Sequence, residues 1–198
     1  HFGLWYENHR QYLHAIAAYR RSGNYDALLR VIQKDAGILF ASLNPQTVLS
    51  DIEACPVFVL KEHPLSILVL MRSMFNWRLI PQMLEMKALL MAAIEEHPEM
   101  PAKERGDLLG ECDLIMSFLC YNDISAMSRL HRSASVQMSR PAISIHKSGG
   151  WTFGSPSVLM MFYRAPGELQ SELAEMDECM PHYYKITNDH GQGAEKIM

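Results

Sequence analysis

The sequence predicts an all-α protein of stacked helical hairpins interrupted by an irregular Gly- and Ser-rich insertion. Apolar residues recur at the three-and-four spacing that collects them on one helical face, as at Leu28, Leu29 and Ile32. Gly, Asn and Pro cut the chain into segments of helix length. A helix-turn-helix layout recurs at an offset of 99 residues, where Ala27 matches Ala126, Arg30 matches Arg129 and Val31 matches Leu130. A unit of that kind cannot bury its apolar face alone, so its neighbours must stack on it.

Residues 4–36 read as two helices meeting at Ser22-Gly23-Asn24; the second buries Tyr25, Leu28, Leu29 and Ile32 and turns Arg30, Gln33 and Lys34 the other way. Asn44-Pro45 starts a short helix to about Ala54, because Asn can accept from a free backbone N–H and Pro loses nothing at the first helical position. Pro56, Pro64, Pro81, Pro98 and Pro101 divide the chain beyond Cys55 into helices over 65–76, 79–96 and 102–120, with Pro81 in a first turn or at a kink. The apolar run 65–71 suits a buried strand as well as a buried helix, and its helical neighbours favour the helix.

In the second hairpin Leu108, Cys112, Ile115, Met116 and Leu119 form one stripe, Tyr121-Asn122-Asp123 makes the turn, and Met127 and Leu130 continue the pattern. Ser139, Ser144, Ser148, Gly149, Gly150, Gly154 and Ser155 then mark a long loop around Trp151 and Phe153. Ser155-Pro156 caps a helix through Tyr163. Ala165-Pro166-Gly167 separates it from another through about Met180, and Gly191-Gln192-Gly193 opens a last one. The expected organisation is a hairpin array over 1–138, a Gly/Ser/aromatic loop over 139–157 and further helices over 158–198, in one continuous domain. Because it opens on His1 and stops within a helical pattern, the chain is expected to be a fragment of a longer protein.

At 198 residues and 48% hydrophobic content the chain can bury a substantial core. Its net charge of −4 offers no basic field to attract a phosphate backbone, so direct nucleic-acid contact is not expected. Cys55, Cys112, Cys120 and Cys179 form no C-x-x-C pair and are expected to be reduced, in a cytoplasmic protein. The longest strongly apolar stretch, 64–71, is too short to span a bilayer.

The sequence carries few motifs of recognisable chemistry. There is no G-x-x-x-x-G-K-[ST] string, no H-E-x-x-H and no G-x-S-x-G elbow, and His9 and His14 are five apart. No catalytic residue, metal ligand or cofactor is therefore expected in this segment. Gly149-Gly150 and Gly191-Gln192-Gly193 succeed no convincing strand and read as turns, and Ser155 reads as a helix cap. Glu172, Glu175, Asp177 and Glu178 read as the solvated face of an amphipathic helix. The 14 Met residues, Met71, Met74, Met83 and Met86 among them, read as core filling rather than an adaptable groove. The candidate ligand or partner surface is His146, Trp151, Phe153 and Arg164, which place aromatic surface and hydrogen-bond donors along a loop longer than packing requires.

The string Trp151-Thr152-Phe153-Gly154-Ser155-Pro156-Ser157-Val158-Leu159, with Glu178-Cys179-Met180-Pro181 and His190-Gly191-Gln192-Gly193-Ala194-Glu195, resembles the central region of LuxR-type bacterial transcription regulators related to the maltose activator MalT. The opening, Trp5-Tyr6-Glu7-Asn8 and Gly23-Asn24-Tyr25-Asp26-Ala27-Leu28, is similar to the helical pair that comes after their ATPase and winged-helix modules. The resemblance implies a tetratricopeptide-like, right-handed helical array acting as sensor and coupling segment. Its implied partners are the regulator's other domains, a small-molecule inducer or a protein, and further copies of itself. ATP would bind only the N-terminal module, and DNA only the C-terminal helix-turn-helix. The spacing of the hairpins departs from a strict tetratricopeptide period, with 135–180 behaving as an insertion. The other reading is a tetratricopeptide-like interaction module with no link to transcription.

Overall fold

In the computed structural model, residues 2–120, 123–146 and 165–193 are described. Among them the chain is all-helical, with ten α-helices and no strand. It divides into two compact units, 1–99 and 100–198.

The first unit contains α1 (Phe2–Asn8), α2 (Tyr12–Ser22), α3 (Tyr25–Asp35), a 3-10 turn (Phe40–Ser42), α4 (Pro45–Ala54), α5 (Val57–Lys61), α6 (Pro64–Asn76) and α7 (Ile80–Glu96). The single helix expected before Ser22 is broken: Arg10 takes a left-handed backbone (φ 57°), and His9 Nδ1 lies 2.7 Å from the Trp5 carbonyl at the end of α1. Neither Gly nor Pro announces this break. At the expected turn Gly23 adopts φ 64° and its N–H returns to the Arg20 carbonyl, while the Asn24 side chain accepts from Ala27 N at 3.1 Å. Asn44 caps α4 as expected, accepting from Gln46 N at 2.9 Å, and Pro81 lies in the first turn of α7. Between Pro56 and Pro64 the chain adds a short helix, the five-residue α5, that the apolar pattern does not predict.

The core of this unit is α6. Every residue from Ser66 to Met74 is buried, so the apolar run is a helix enclosed on all sides rather than a strand. It packs on α3, α5 and α7, and Ser66 Oγ donates to the Leu29 carbonyl of α3 at 2.8 Å. Met71, Met74 and Met83 are fully buried, as core filling requires.

A second anchor is polar. Glu7 of α1 is buried and accepts from Tyr19 Oη (2.8 Å), Arg30 Nε and Nη2 (3.1 Å each) and Lys34 Nζ (2.7 Å), tying α1 to α2 and α3. The Arg30 guanidinium, ahead of the opposing cost of burial, holds the Glu7 carboxyl down to about 2 from 4.5. Gly3 makes this possible, since a Cβ there would meet the Tyr19 ring at 2.5 Å.

The second unit holds α8 (Ala102–Ser117), α9 (Ile124–Gln137) and α10 (Leu169–Thr187), with α9 packed on both of the others. Asp123 caps α9, accepting from Ala126 N at 2.9 Å, which repeats the Asn24–Ala27 geometry at the 99-residue offset. Gly106 and Gly110, one turn apart on α8, allow α9 to approach closely: a Cβ on Gly106 would lie 2.8 Å from the Gln137 carbonyl oxygen, and one on Gly110 would lie 2.5 Å from Met138 Cγ. Helix α10 runs past its expected end near Met180, through Pro181. That proline removes one helical hydrogen bond, but the buried Tyr183 and Ile186 beyond it hold the continuation in the core. No helix of the described residues is long and apolar enough to cross a membrane.

Two predictions test these anchors. Ala is favoured over Gly in a helix by about 1 kcal/mol, so the expected loss of about 1–3 kcal/mol in Gly106→Ala measures the clash with Gln137. It would be read from the urea midpoint at unchanged m, and a gain in stability would show that α8 and α9 separate freely. Glu7 ionises near 2 when folded against 4.5 for the ordinary group. Its contribution is therefore complete above about pH 4.5 and lost as pH falls towards 2. With Arg30 and Lys34 partly in solvent this amounts to about 2 kcal/mol. Glu7→Gln should lose that much at pH 7, with the gap closing in acid; a gap independent of pH refutes the assignment.

Candidate functional site

Asp107 and Glu111 lie four residues apart on α8, hence on one face of the helix. Both are buried, and Glu111 is fully so. A buried carboxylate needs donors around it, and these come from the chain that leaves α9. Ser139 donates its backbone N–H to Asp107 Oδ1 at 2.6 Å and its hydroxyl to the same carboxylate at 2.9 Å. Arg140 Nη1 donates to Glu111 Oε2 at 2.8 Å, and its Nε lies 3.8 Å from Asp107. The backbone N–H groups of Ile143 and Ser144 share Glu111 Oε1 at 2.9 and 2.8 Å. From the other side Ala142 N donates to the Ile186 carbonyl of α10 at 2.7 Å. Residues 139–144 are thus stapled onto α8 and α10 although they form no helix of their own. Ala142, Ser144 and Ile145 are buried, and the Ser144 hydroxyl has no hydrogen-bond partner among the described residues.

Of the four residues singled out in the sequence, His146 lies at the exposed end of this strap. Trp151, Phe153 and Arg164, with the helix expected through Tyr163 and the Gly149-Gly150 turn, fall outside the described residues. The staple itself is absent from the sequence expectations. A signal for it exists: Asp107 and Glu111 each adjoin a member of the apolar stripe, Leu108 and Cys112, and a carboxylate at the margin of a buried stripe needs a cation or amides from elsewhere.

A second polar group lies in the core of the same unit. The Ser117 hydroxyl donates to the Leu114 carbonyl at 2.6 Å, so it accepts from His131 Nε2 at 2.9 Å, which leaves Nδ1 to accept from the Cys179 thiol at 3.4 Å. Burial, ahead of the nearby His182, pushes His131 down to about 3, and burial pushes the Cys179 thiol up. Both are neutral at pH 7. All three residues are buried, so the pairing organises the core. Tyr183 stands 5.0 Å from the His131 ring, and its Oη is 2.6 Å from His190 Nδ1.

The acidic face expected on α10 needs correction. Asp177 and Glu178 are exposed, but Glu172 is fully buried and Glu175 half-buried. Helix α9 packs on α10: its Ser125 Oγ donates to the half-buried Glu175 at 2.8 Å, and its Arg132 Nη2 donates to the exposed Glu178 at 2.6 Å. Gly191 and Gly193 form a turn with φ 66° and 89°, in which Gly193 N donates to Tyr184 Oη at 3.1 Å. Among the described residues no three His, Cys, Asp or Glu converge to hold a metal ion.

No protein family, curated protein or solved structure matches the chain.

The staple predicts its own signature. In Glu111→Ala two backbone N–H groups and a guanidinium lose their acceptor, at a cost of about 2–4 kcal/mol. Hydrogen exchange at Ile143 and Ser144 should accelerate by at least about tenfold, while the amide of Leu28, in the other unit, keeps its protection. Unchanged protection at Ile143 and Ser144 would show that the strap is held by packing alone.

Proposed function

We propose that this chain is the sensor and coupling segment of a LuxR-family, MalT-like transcription regulator in the bacterial cytoplasm, a tetratricopeptide-like helical scaffold that receives an inducer, another domain or a second copy. The staple of 139–144 is the observation that carries the reading. A segment serving only as a connection has no need of two buried carboxylates and a guanidinium. Here they join the chain leading into the Trp151–Phe153 stretch to helices packed on one another. Binding that pulls on that stretch would thereby bias the packing of α8, α9 and α10, which is what coupling demands.

The repeated caps at Asn24 and Asp123 favour an array of hairpins. The transcriptional setting comes from the resemblance of the Trp151–Leu159 string and its companions. In that setting ATP belongs to the N-terminal module and DNA contact to the C-terminal one, in keeping with the net charge of −4 here.

The test begins with the gene on either side of this segment. A P-loop ATPase before it and a helix-turn-helix after it are expected; if both are missing, the interaction-module reading replaces this one. In the whole regulator Trp151→Ala should then reduce the inducer response of a reporter several-fold more than Asp177→Ala, at an exposed acid, and equal effects remove the aromatic stretch from the mechanism.

A further inference from the structure

We propose that a groove along α1 and α2 binds a planar aromatic anion, a ring system carrying a carboxylate, phosphate or sulfonate. The site lies within the first unit and does not rest on the regulatory reading. Its volume is about 790 Å³, open to solvent and within the usual range for small-molecule sites.

Small residues create the space. Gly3 and Ala18 line the groove, and the Tyr19 ring lies against Gly3 with its hydroxyl committed to Glu7, which keeps that side fixed. The Tyr6 and His14 rings stack at 5.2 Å with 29° between planes, giving the groove flat aromatic surface. Phe2, also lining it, is 79% exposed, an apolar ring left in water until something covers it.

Charge selects the ligand. Glu7 is neutralised by Arg30 and Lys34, and Asp26 is paired with Arg30 and with His63. Arg20 lies 3.7 Å from Asp51. Arg21, exposed in the last turn of α2 and lining the groove, has no ion-pair partner among the described residues. Its guanidinium offers a planar fork to an oxyanion, in the same groove as ring faces suited to an aromatic body. The combination discriminates against an uncharged ring and against an anion without one.

Fluorescence titration of the 198-residue chain with anilinonaphthalene sulfonate, and with the uncharged N-phenylnaphthylamine, tests this. One equivalent of the sulfonate should bind with enhanced emission, and Ala18→Trp, which fills the groove, should remove the binding of both probes. Arg21→Ala should weaken the sulfonate about tenfold and leave the uncharged probe unchanged. Ser22→Glu, which brings a carboxylate to the exposed rim, should act in the same charge-selective way. Binding of several equivalents, or sulfonate affinity unchanged in Arg21→Ala and Ser22→Glu, overturns the proposal. Should Ala18→Trp lose its helical circular dichroism, those two exposed-site variants decide the matter by themselves.

Discussion

A carboxylate removed from water must be surrounded by donors, and each compact unit is organised around at least one that is. Several kilocalories per mole are at stake whenever such a group is left bare. The donors therefore come from wherever the fold can bring them. Glu7 gathers side chains from α2 and α3, 12 to 27 residues away in sequence. Asp107 and Glu111 gather backbone amides, a hydroxyl and a guanidinium from a strap about 30 residues away. These bonds differ from apolar packing in being directional, so they specify which segment lies against which helix.

The two solutions differ in the partners they recruit. Glu7 faces two cations and a phenol, and the cations keep its carboxyl far below the ordinary range. Asp35, at the end of α3, instead accepts from the backbone N–H groups of Leu39 and Phe40 at 3.1 and 2.8 Å. Burial outweighs those bonds and pushes its carboxyl up. Asp107 and Glu111 recruit both kinds of donor, backbone amides and the Arg140 guanidinium. Four backbone N–H groups of the strap, those of Ser139, Ala142, Ile143 and Ser144, hold its path alongside the Ser139 hydroxyl and the Arg140 guanidinium.

Close helix approach is the second condition for these networks. Gly3 lets the Tyr19 ring reach Glu7, and Gly106 and Gly110 let the end of α9 pass near enough to α8 for Ser139 to reach Asp107. The glycines and the carboxylates work as pairs: the first remove a Cβ, and the second use the proximity gained. The core cluster of Ser117, His131 and Cys179 obeys the same rule of satisfaction with neutral groups, one proton per contact.

The helical class, the α2–α3 and α8–α9 hairpins with turns at Gly23-Asn24 and before Ile124, the cap at Asn44 and the apolar face of α3 at Leu28, Leu29 and Ile32 were all legible in the sequence. Each depends on residues within a few positions of one another, where 3.6-residue periodicity and cap chemistry act directly. The break at Arg10, the continuation of α10 past Pro181 and the burial of Glu172 were not, because no cap or breaker in the local sequence signals them. The staple belongs with these. Asp107 and Glu111 could be recognised as acids beside an apolar stripe, but no local pattern states that their donors are Ser139, Arg140, Ile143 and Ser144. Local propensity determined which segments are helices. Only the tertiary structure decided which buried charge meets which donor, since that choice depends on distances between segments that are remote along the chain.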